Sequence, residues 1–86
     1  MSADEIKQML NQKYEMLIMF SAQLELLEKA GMTGFSNSIS TDIKNAAVEA
    51  GCPIDTVSLY TTERDRLIQE INQTNSDIDK LKSNLK

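Results

Sequence analysis

The stretch VSLYTTERDRLIQEINQTNSDIDKLKSNL, from Val57 to Leu85, decides the fold. Within it Val57, Tyr60, Arg64, Leu67, Ile71, Thr74, Ile78, Leu81 and Leu85 recur three and four residues apart, the spacing of a coiled-coil seam on one α-helix. Only Arg64 and Thr74 interrupt its apolar character, and most other positions are polar, so this helix presents one narrow stripe suited to a single facing helix. Lys80, Lys82 and Lys86 complement the helix dipole at its end. Asp55 or Thr62 can cap its start, which predicts a long helix over about 55–84, or from about 62 if Thr62 is the cap.

The facing helix comes from the other end of the chain. Ser2-Ala3-Asp4-Glu5 has the spacing of a capping box, and Leu10, Leu17 and Leu24 follow every seven residues, interleaved with Ile6, Phe20 and Leu27. Gly31 supplies a left-handed stop, so a helix is expected over about 3–30, roughly 40 Å long. Its middle, Met16-Leu17-Ile18-Met19-Phe20, is apolar over more than half the circumference. Ile18, Met19, Ala22 and Leu26 form a second strip facing away from the leucine seam. Cover by a neighbouring helix of the same chain is the first expectation for this strip. Met9, Met16 and Met19 lean toward a surface that repacks against partners.

Between the long helices, Met32-Thr33-Gly34-Phe35-Ser36-Asn37-Ser38 is rich in turn formers, with Phe35 its one large anchor, and predicts a loop over 31–39. A short helix is expected over about 41–50, capped by Ser40 or Thr41 and stopped by Gly51 and Cys52-Pro53, with Ile43, Ala46, Ala47 and Ala50 as its inner face. Cys52 is expected to pack in the corner as a small apolar residue. Arg64 and Lys13 fall on the seams, where they either reach water or meet acidic partners that fix register.

These elements make one all-α domain over 1–86: a long antiparallel helical hairpin with a short middle helix. A chain of 86 residues hides only about 60% of its unfolded surface, so oligomerisation through coiled-coil-like packing is expected to supply further burial. Three glycines, one proline and four aromatics leave little material for turn-rich β structure. Thirteen acidic against nine basic residues, a formal charge of −4, oppose nonspecific attraction to phosphate backbones and anionic lipid. Without histidine and with Cys52 alone, no metal cluster, internal disulfide or histidine base is expected, and no cofactor. Asp4 and Glu5 stand where a secretory signal carries positive charge, and no apolar run approaches the roughly 18 residues of a membrane span, so the chain reads as cytoplasmic, with signal-independent export still open.

Ile43 to Tyr60 resembles a helix-turn-helix: Ala46, Ala47 and Ala50 precede Gly51, and Cys52, Val57 and Tyr60 follow at the expected offsets. As a DNA reader, Ser58 and Thr61 would meet base edges while Arg64 and Arg66 held phosphates. Asp55 to Thr61 contains no cation, which counts against that use. Gly51 to Ile71 also resembles the second half of the small sporulation aspartate phosphatases. Glu63 and Asp65 match the acidic positions of that family's Ser-Gln-Glu-Leu-Asp signature; Thr61, Thr62 and Arg64 depart from it, and the resemblance would make Asp65 catalytic. As plain residues, Glu63 and Asp65 are solvated acids of an early helix turn.

With no phosphate loop, paired carboxylates or activated nucleophile, the expected function is non-enzymatic: a helical protein-protein interaction module of assembly-chaperone, adaptor or inhibitor type, binding a protein partner or itself. Its expected interface is Met16, Ile18, Met19, Ala22, Leu26, Leu67, Ile71, Ile78 and Leu81. The alternative is a small helix-turn-helix transcriptional regulator whose flanking helices dimerise it.

Overall fold

The computed structural model describes residues 2–85, and these form three helices: α1 (Ala3–Ser38), α2 (Thr41–Glu49) and α3 (Thr56–Ser83). Each begins at the polar residue suited to it. The side chains of Ser2, Ser40 and Asp55 accept from the backbone N–H groups of Glu5, Ile43 and Ser58 at 3.2, 3.2 and 3.1 Å, satisfying one free donor per helix. Asp55, rather than Thr62, therefore sets the start of α3. Lys80 and Lys82 occupy its last turn; Lys86 lies outside the described residues.

α1 and α3 pack antiparallel into a rod of 57 × 25 × 17 Å. The radius of gyration, 18.1 Å, exceeds the roughly 12 Å of a compact chain of this length. Ile6 and Leu10 of α1 interlock with Ile78 and Leu81 of α3, Leu17 packs alongside, and Phe20, Leu67 and Thr74 are also buried. Thr74, the polar interruption of the α3 seam, is neutralised within its own helix: its hydroxyl donates to the Glu70 carbonyl at 2.7 Å. The charged interruptions bridge the two helices. Lys13 pairs with Asp77 at 3.1 Å and Arg64 with Glu28 at 3.4 Å, so both cations mark register rather than only reaching for water. The Tyr60 hydroxyl, 3.5 Å from the Leu27 carbonyl, fixes the same alignment farther along.

The segment expected as a loop over 31–39 is helical as far as Ser38. Gly31 leaves the helix as its stop signal requires, with φ 68° and ψ −173°, a backbone region that side chains other than glycine avoid. Helical turns then resume beyond this kink. Gly34 sits so close to Ala30 that an added Cβ would lie 2.8 Å from the Ala30 Cβ; here glycine is what lets the chain fold back tightly. Phe35 seats its ring edge-on against Tyr60 of α3, 5.7 Å between centroids, which holds the resumed turns in place.

α2 also departs from expectation. It ends with the Gly51 N–H on the Val48 carbonyl and the Cys52 N–H on the Ala47 carbonyl, the paired bonds of a Schellman stop. Its supposed inner face is not covered: Ile43, Ala46 and Ala50 are exposed and Ala47 is half-buried. Alanine side chains remove too little apolar surface to anchor nine residues against the hairpin. Cys52 is likewise exposed rather than packed in a corner.

Candidate docking surface on the outer face of α1

An α-helix turns about 100° per residue, so α1 carries its seam residues Ile6, Leu10, Leu17 and Leu24 on one side and Ile18, Ala22 and Leu26 nearly opposite. α3 covers the first side only. Ile18, Met19 and Leu26 retain 69%, 49% and 68% of their accessible surface, and Ala22 is exposed between them. Among the described residues no helix covers the strip, contrary to the first expectation for it. For Ile18 and Leu26 this forgoes much of the roughly 1.5–3 kcal/mol that burying an aliphatic side chain contributes.

The other interface candidates divide differently. Leu67, Ile78 and Leu81 are 1%, 4% and 8% exposed within the hairpin seam. Within the single chain their apolar surface is turned toward α1, unlike that of Ile18 and Leu26. Met16 and Ile71 are half-buried at the margins. A further group was not foreseen as surface: Met32, Ile43, Val48, Val57 and Leu59 are exposed around the kink, α2 and the start of α3. The signal for Val48 was present, since it lies on α2 away from the alanines, but its exposure depends on α2 remaining unpacked.

Electrostatics at the helix-turn-helix-like stretch oppose phosphate contact. Ser58 and Thr61 are exposed, yet Arg64 is engaged by Glu28, and Arg66 donates twice to Glu63 at 2.7 and 3.1 Å. Those bonds hold the Glu63 carboxyl below its usual range and raise Arg66, so each arginine faces an acid of its own chain. Exposure of Ala46, Ala50, Cys52 and Val57 also removes the packed corner by which such a motif aims its second helix. Asp65, the residue the phosphatase resemblance would make catalytic, is exposed on α3.

Two depressions mark the hairpin. One, lined by Gln69, Glu70, Asn72, Gln73 and Ser76, is polar; the other lies along the seam between Met9, Lys13, Asp77, Lys80 and Leu81. In the second, the Asp77 carboxylate accepts from the Gln73 amide at 2.9 Å and from Lys13, which lower its pKa in that order of importance. That arrangement clamps the two helices together through Lys13 and Asp77. Among the described residues no three His, Cys, Asp or Glu side chains gather in a way that could hold a metal ion, and no helix is long and apolar enough to cross a membrane. Comparison with known proteins yields no match: no family model fits the chain, and no curated protein or solved structure is significantly similar to it.

Proposed function

We propose that this chain is a non-enzymatic helical protein-protein interaction module, of assembly-chaperone, adaptor or inhibitor type, that works in the cytoplasm and docks through the outer face of α1. One observation carries the proposal: a helix whose inner side packs in the hairpin exposes a second apolar strip, Ile18, Met19, Ala22 and Leu26, along its middle. The exposed methionine suits a face that adapts to its partner. Total accessible surface adds weight. At 6201 Å² it exceeds by roughly 1,100 Å² what a compact monomer of this mass exposes. A standard interface takes about 800 Å² from each partner.

The DNA-binding alternative has less support, because both of its phosphate-holding arginines are engaged by glutamates. Replacing Met19 with Glu tests the docking role. Association, read by light scattering or by retention of a protein partner, is expected to weaken while helicity by circular dichroism persists. Loss of helicity together with association would mean that the strip serves the fold of the single chain.

A further inference from the structure

On the outer side of α1 the positions four and seven from Ala22 match in both directions, whereas those three away differ, Met19 on one side and Glu25 on the other. Outward from Ala22, the residues four away are Ile18 and Leu26, both exposed aliphatics; those seven away are Glu15 and Lys29, both exposed and of opposite charge. Steps of four and seven turn about 40° and 20° around the helix, so all five side chains share one side over roughly 21 Å. Neither Glu15 nor Lys29 has an ion pair among the described residues, although Glu25 stands one turn before Lys29; near the seam Lys13 and Arg64 do have acidic partners.

We infer that the occupant of this strip is a second copy of the chain, packed antiparallel about a two-fold axis at Ala22, with Glu15 of each copy against Lys29 of the other. The inference rests on the docking role proposed above and names the partner. A two-fold contact brings the same patch of each copy together, so a residue one step before the axis meets the residue one step after it. Antiparallel pairing therefore sets Ile18 against Leu26 twice and Glu15 against Lys29 twice. Parallel pairing would set like charges against each other at both ends, which selects the orientation. Ala22 on the axis permits close approach of the two helices where a larger residue would hold them apart. α3 lies on the far side of α1 and does not obstruct the contact.

Charge reversal provides the test, read by sedimentation of the full chain from about 20 to 500 µM at roughly 50 mM salt. The unaltered chain is expected to dimerise within that range. Glu15→Lys and Lys29→Glu alone are each expected to weaken self-association about tenfold or more, since each replaces two attractions with two repulsions. An equimolar mixture of the two variants is expected to regain dimers, because one chain then carries lysine and the other glutamate at both positions; the orientation itself is read from the single variants, which would not weaken a parallel pair that already faces like charges. Both sites are exposed, and unchanged circular dichroism verifies the fold. A monomer at the highest concentration, single variants that dimerise like the parent, or a mixture that does not associate would each overturn the inference. If dimers persist through charge reversal but disappear on Ile18→Glu, the docking role stands and this arrangement falls. If the chain is monomeric, the docking role is judged separately by whether Ile18→Glu releases a bound protein partner.

Discussion

The outer faces of the two long helices stand in the same relation to the hairpin and have opposite chemistry. On α3 the side away from the seam is Gln69, Asn72, Gln73 and Ser76, polar and open to water. On α1 it is Ile18, Met19, Ala22 and Leu26. A two-helix hairpin requires one apolar stripe from each helix, and beyond its first turn α3 supplies little more than that. The hairpin leaves the second stripe of α1 exposed, and the docking role proposed above is our reading of that difference.

That comparison breaks most visibly at the seam. Leu67, 1% exposed, sits where the α3 stripe meets α1, and Leu67→Ala is expected to lower unfolding free energy by about 2–5 kcal/mol. Denaturant titration at low protein concentration would measure it. A loss as small as that of an exposed residue, within about 0.5 kcal/mol, would mean that the seam does not hold the helices together.

Much of this contrast is legible in the sequence. The three-and-four spacing from Val57 to Leu85 shows one stripe, and the offsets from Ile18 to Leu26 show a second on the other long helix. The caps at Ser2, Ser40 and Asp55 follow from local hydrogen-bonding chemistry. Gly31 and Gly34 both read as breakers, and that signal is right for Gly31. At Gly34 glycine serves close contact with Ala30 instead, and the turn around it is retained by Phe35 reaching Tyr60, twenty-five residues away. No local pattern contains that contact. Ile43 and the alanines of α2 compose an apolar face by spacing, but spacing does not say whether a surface exists for it to meet. Among the candidate interface residues, the pattern likewise could not separate Leu67, Ile78 and Leu81, used within the chain, from Ile18 and Leu26, left outside it.

A smaller effect sharpens the comparison at the clamp between the helices. Asp77 has its pKa lowered in the folded chain, first by Gln73 and then by Lys13, so the stability it contributes is present above the unfolded carboxylate value near pH 3.9 and is lost as pH falls through the folded value. Asp77→Asn is expected to reduce the thermal midpoint slightly at neutral pH and to make the decline below about pH 4 shallower. Glu63, lowered by Arg66, leaves part of that decline in place. An acid decline as steep in the variant as in the parent would remove Asp77 from the account.

The central claim, that one outer face docks and the other does not, is tested most directly by following backbone amide chemical shifts as the chain is diluted from about 500 to 20 µM. The expected result is concentration-dependent shifts confined to α1 between Glu15 and Lys29, with Gln69 to Lys80 of α3 unmoved. Shifts on the outer face of α3 or only around α2, or none at any concentration, would contradict it.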